Sequence, residues 1–105
     1  MRSLLANSAP QMTVDLAAEL GSVLTSRSIG QQVRERITSA AAAGEGVVVS
    51  FAGVEAMSPS FADEIFAKVD DSLVQQGLIE FVDVDPTLEA IIRFVRAGRT
   101  SQAAG

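Results

Sequence analysis

Two hydroxyls and two carboxylates crowd into the seven-residue stretch Ser58-Pro59-Ser60-Phe61-Ala62-Asp63-Glu64. Three kinds of chemistry can use such a set: carboxylates acting as acid and base, a serine accepting a phosphate, or a helix start holding an anion on its free N–H groups. Acid–base catalysis fits worst. Neighbouring residues on a helix diverge by about 100°, whereas catalytic carboxylates converge across a cleft. A phosphate on Ser58 or Ser60 would add about −1.5 to −2 charge units at pH 7, favoured by the helix N-terminus and repelled by Asp63 and Glu64 one turn on. A nucleotide or other anion beside Gly53, Ser58 and Ser60 is the corresponding ligand-sensing alternative.

The residue types that are missing narrow the field further. The 105 residues include no His, Cys, Tyr or Trp. The commonest general base, the thiolate nucleophile and nearly every zinc ligand set are therefore gone. Neither a GxxxxGK[ST] loop nor a GxGxxG fingerprint occurs, and Gly44-Glu45-Gly46 precedes a strand and reads as a turn. Stand-alone catalysis would fall to carboxylates, Lys68 or an arginine, so no catalytic residue, metal or cofactor is assigned.

A net charge of −5 argues against nucleic acid, which calls for a basic face. The one basic cluster, Arg93, Arg96 and Arg99, reads as a complement to the negative end of the last helix. No apolar run reaches the roughly 20 residues of a membrane span, and MRSLLANSAPQ lacks the pattern of a signal peptide. Without cysteine there is no disulfide framework either, which makes the cytoplasm the expected compartment.

The elements that must position these residues alternate. Residues 1–11 read as a flexible leader and residues 100–105 as a flexible tail, with one domain at 12–99. Met12 to Leu16 alternates apolar and polar as a one-sided strand does. Ala17 to Leu24 reads as a loop with a possible short strand around Val23. Ser26 or Ser28 caps a helix whose apolar stripe is Ile29, Val33, Ile37 and Ala40 or Ala41, with Arg34, Glu35 and Arg36 solvated on the other face. Gly44 stops it. Val47, Val48, Val49 and Phe51 form an unbroken apolar run closed by Gly53, which predicts a strand buried on both faces. Ser58 as cap and Pro59 at the first helical position open a helix carrying Phe61, Ile65, Phe66, Val69 and Leu73, closed by Gln75 to Gly77. Ile79 to Val84 gives a third main strand. Asp85-Pro86 starts a last helix with Leu88, Ile91, Ile92 and Val95 inward, ended by Gly98. Strands joined by helical crossovers must be mostly parallel. The fold class is therefore α/β, a small, mostly parallel central sheet with flanking helices.

Taken together, GSVLTSRSIGQQVRERI, VVVSFAGVEAMSPSFADEIF and IEFVDVDPTLEAIIRFV resemble the STAS-like domain family of unknown function, over roughly residues 12–97. That family is related to STAS domains such as bacterial anti-sigma factor antagonists. The resemblance rests most on Ser60 to Glu64, then on Phe51-x-x-Val54 and on Arg27 two residues before Ile29-Gly30. It implies a protein partner, a histidine-kinase-like ATPase acting as a serine kinase, with residues 53–64 as the contact surface. In antagonists of that kind a serine at the mouth of the helix after the central strand takes the phosphate. Here Pro59 falls at that position, flanked by Ser58 and Ser60, while Phe61 and Ala62 replace a glycine and a leucine. Proline cannot be phosphorylated, so Ser58 and Ser60 are left as candidate acceptors. An Asp63–Arg27 or Glu64–Arg27 pair would tie the loop to the preceding helix.

Overall fold

The computed structural model describes residues 12–104, with side chains to residue 98. The expected leader and Gly105 lie outside these residues. Strand β1 (Met12–Asp15) leads directly into helix α1 (Leu16–Leu20), whose start is capped by Asp15 accepting from the Ala18 N–H at 3.2 Å. After β2 (Val23–Leu24) comes α2 (Arg27–Ala42), capped by Ser26 Oγ on the Ile29 N–H. Strand β3 (Val47–Ser50) follows, then β4 (Ala56–Met57) and α3 (Pro59–Ala62). Helix α3 runs on into a π-helical turn, Asp63–Ala67. Next are α4 (Asp71–Gln75), β5 (Ile79–Val82) and α5 (Pro86–Ala104).

The main sheet has the order β1-β3-β5, all parallel, with β3 in the centre. A separate parallel pair, β2-β4, lies beside it. The α/β expectation of a small parallel sheet with flanking helices therefore holds. The register sets Val14, Val49 and Phe81 side by side on one face, and Thr13, Val48 and Glu80 on the other. The first face is the core: Val14 and Val49 are fully buried, and Phe51, Phe66 and Phe81 cluster there with centroids 4.6 to 6.3 Å apart. On the other face Val48 and Ser50 are half-buried and Thr13 and Glu80 exposed. The prediction that β3 is buried on both faces is thus corrected. An apolar run reports β-propensity and burial together and does not separate them.

Three further expectations change. The helix expected from Pro59 to Gly77 is broken at Lys68–Asp70, where Asp70 takes an extended conformation and caps a new start on the Ser72 N–H at 3.0 Å. The apolar stripe survives the break, with Val69 and Leu73 still inward. Leu16, expected to end the first strand, and residues 17–20, expected as loop, form a turn of helix, while the short strand around Val23 is present. Finally, α5 continues through Gly98 to Ala104. A glycine weakens a helix by about 1 kcal/mol but ends it only by adopting a left-handed conformation, and Gly98 is not among the residues with positive φ. Arg93 and Arg96 therefore lie on exposed interior turns of α5, with no basic residue in its last turn to complement the negative end.

The helices pack as the site requires. Helix α2 lies against α3 and the π turn, and α5 covers both from the other side. The turn after β3 uses Gly53 at φ 83°, where an added Cβ would meet the Ala17 Cβ at 3.1 Å.

Candidate functional site

The local sequence builds the helix start as expected. Ser58 Oγ accepts from the Phe61 N–H at 3.1 Å, and its own proton goes to the Thr25 carbonyl at 3.0 Å, which ties the cap to the β2–α2 junction. Pro59, with no N–H to satisfy, occupies the first helical position. The Ala62 N–H donates to the Ser58 carbonyl. Of the first four helical residues, only Ser60 thus keeps a free N–H for an anion. Ser60 is half-buried, and its hydroxyl has no hydrogen-bond partner among the described residues. The two candidate serines are therefore not equivalent: the Ser58 hydroxyl is spent on structure and that of Ser60 is available.

Asp63, Glu64 and Arg27 come together as the pairing predicts, and both alternatives occur at once. Arg27 Nη1 donates to Asp63 Oδ2 at 3.0 Å and to Glu64 Oε2 at 2.8 Å. Two cations that sequence reasoning missed complete the group. Arg34 Nη2 reaches Glu64 Oε1 at 3.2 Å, and Lys68 Nζ reaches Glu64 Oε2 at 2.8 Å. Arg36, read as solvated with Arg34, pairs with Glu19 on α1 at 2.8 Å. Both corrections have one cause: the arginines of α2 find partners on other elements, which helical spacing within α2 cannot show. The available signal is that Arg27, Gly30 and Arg34 recur at i, i+3 and i+7, hence on one face, while Glu64 and Lys68 stand at i, i+4.

Gly30 lets the two faces meet. A Cβ there would come within 3.1 Å of the Glu64 Cβ and 3.3 Å of the Phe61 ring. Glu64 is only 2 % exposed, whereas Arg27 and Lys68 reach solvent. Burial opposes ionisation of Glu64, but the hydrogen bonds from Lys68 and Arg27, the Lys68 charge and the Arg34 contact outweigh it. Its pKa is held below the ordinary value. Hydrogen bonds to Asp63 and then Glu64 likewise raise the pKa of Arg27. This is a charge cluster in which three cations hold two carboxylates, leaving one positive charge in excess. Its carboxylates are held by cations and line none of the grooves described below.

Beside the helix start lies a groove of about 310 Å³, lined by Leu20, Val23, Leu24, Thr25, Ile29 and Phe61. A smaller one of about 230 Å³ continues it along α2 past Gln32 and Arg36. Val23 is 57 % exposed and Leu20 36 %. The Phe61 lining this groove is the residue whose N–H Ser58 caps.

The family model for a STAS-like domain of unknown function (DUF4325) matches residues 30–87, more than half of the chain. The chain belongs to this family. The match begins inside α2 and ends just after Asp85-Pro86, narrower than the span of the resemblance. Within the STAS-like domain it takes in Gly30, Arg34, Ser58, Ser60, Asp63, Glu64 and Lys68, and leaves Arg27 outside. No curated protein and no solved structure is found to match the chain. Among the described residues, no helix is long and apolar enough to cross a membrane.

Proposed function

We propose that this STAS-like domain is a non-catalytic regulatory module that binds a protein partner. The surface it uses is residues 57–64 together with the adjoining Leu20–Val23–Ile29 groove. The observation that carries this reading is Val23, a large apolar side chain more than half exposed at the rim of a groove that shares Phe61 with the capped helix start. Apolar side chains gathered at a groove beside polar residues are what an interaction surface offers. The partner we assign is a histidine-kinase-like ATPase acting as a serine kinase in the cytoplasm, the class that antagonist-like loops of this kind engage.

Ser60 is the regulated position in this reading. A phosphate there falls three and four residues before Asp63 and Glu64, on the same helical face, and competes with them for Arg27. It would place new negative charge beside the apolar groove and weaken binding. Ser58 is unsuited to the role because modifying it removes the helix cap. The anion-sensing reading gains nothing from a helix start with one free N–H.

The test is affinity capture with the wild-type protein, Ser60→Glu and Val23→Asp, read by mass spectrometry for partners and for phosphoserine. An ATPase recovered by wild type and lost from both variants, with phosphate on Ser60, is the expected result. Identical partners for all three proteins, with unmodified Ser60, would overturn it.

A further inference from the structure

The last strand of the sheet is an open edge. In β5 the Leu78 carbonyl accepts from the Val47 N–H at 2.7 Å and the Val82 carbonyl from the Phe51 N–H at 3.0 Å. In a parallel ladder the backbone groups of alternate residues face alternate sides. The N–H and C=O groups of Ile79 and Phe81 therefore point away from β3, and no strand pairs with them among the described residues.

Along this edge runs the largest groove described here, about 700 Å³, with Phe66, Phe81, Val84 and Ile92 as its apolar wall. Its charged rim is Glu80, Glu89 and Arg96. None of these three makes an ion pair among the described residues. Two carboxylates against one guanidinium leave the rim negative.

We infer that the free edge of β5 is a docking site for an extended segment of another protein, in which apolar side chains alternate with basic ones. Such a segment adds a fourth strand to the sheet. Its N–H and C=O groups pair with those of Ile79 and Phe81, and its apolar side chains enter the groove. The intervening lysines or arginines lie on the opposite face, beside Glu80, because side chains alternate along a strand. A second copy of this chain is the poorer occupant. Pairing Ile79 with Phe81 of an antiparallel second copy sets Glu80 opposite Glu80, and like charges directly opposite destabilise a sheet pair. The site is separate from the Ser60 surface and stands or falls without it.

The experiment is an NMR titration of the whole protein with two blocked peptides, acetyl-Val-Lys-Val-Lys-Val-amide and its glutamate counterpart. The lysine peptide should shift the Ile79 and Phe81 amides and slow their hydrogen exchange, leaving the Glu80 amide, already bonded toward β3, unchanged. The glutamate peptide should bind about fivefold more weakly, and Glu80→Lys should invert that preference. Ser60→Glu should bind the lysine peptide as wild type does. Three results would each overturn the assignment: no effect at Ile79 and Phe81 at millimolar peptide, equal binding of both peptides, or a dimer that protects those amides without peptide.

Discussion

Glu64 is the one charged side chain buried among the described residues, and it makes the charge cluster a pH-dependent structural element. Its folded pKa lies below the ordinary value of 4.5. Between those two values the unfolded chain binds more protons than the folded one. The contribution is therefore complete above 4.5 and is lost as pH falls through the folded value. Urea midpoints measured from about pH 6 downward should drop for wild type more steeply than for Glu64→Gln, which lacks the titration. At neutral pH, Glu64→Ala should cost about 2 kcal/mol, because it removes the buried carboxylate that Arg27, Arg34 and Lys68 share, while those cations keep access to solvent. A pH profile identical in wild type and Glu64→Gln would show the cluster to be energetically silent. Gly30 gives the steric counterpart. Leucine there must displace Glu64 and Phe61 and should cost about 2 kcal/mol in chemical denaturation. Alanine should stay within about 1 kcal/mol of wild type, since its better helix propensity offsets the tight contact.

At the scale of elements, the break between the π turn and α4 shows where reading the sequence reaches its limit. Phe61, Ile65, Phe66, Val69 and Leu73 were legible as one inward stripe, and all five are inward. The interruption was not legible, because a helical spacing of apolar residues persists across a bend that keeps the same face inward. What decides the break is polar and local: Asp70 Oδ1 takes both the N–H and the hydroxyl of Ser72, at 3.0 and 2.8 Å. Aspartate competes with a continuing helix in this way and favours a new cap. Asp70→Ala should therefore cost about 1 kcal/mol and speed amide exchange at Ser72 more than at Val49. Equal exchange at Ser72 in both proteins would place the cause of the break elsewhere. Caps at Ser58 and Asp85 were readable because a proline follows each and fixes the first helical position. Central strand β3 was legible as a strand, but its burial was not, since valine suits a half-covered face as well as a covered one.

For the whole molecule, the three-stranded parallel sheet followed from strands alternating with helical crossovers. The pairing of Arg27 with Asp63 and Glu64 was also within reach, because two adjacent carboxylates attract a cation and Arg27 stands in the preceding segment. Arg34 and Lys68 stayed hidden because their roles depend on how α2 crosses the π turn, a property of packing that Gly30 hints at only in retrospect. The same packing leaves Val23 exposed at a groove that Phe61 also lines and leaves the adjacent Ser60 hydroxyl without a partner among the described residues, and partner binding through them is the central claim. Isothermal titration of the captured ATPase into wild type, Ser60→Glu and Val23→Asp tests it most directly. Far-UV circular dichroism should first confirm that the three are equally folded. Losing the apolar anchor that the complex would bury should weaken binding by about 1–2 kcal/mol, roughly five- to thirtyfold, and the added charge at Ser60 should do at least as much. Three equal affinities would contradict the claim and move the interaction surface elsewhere on the domain.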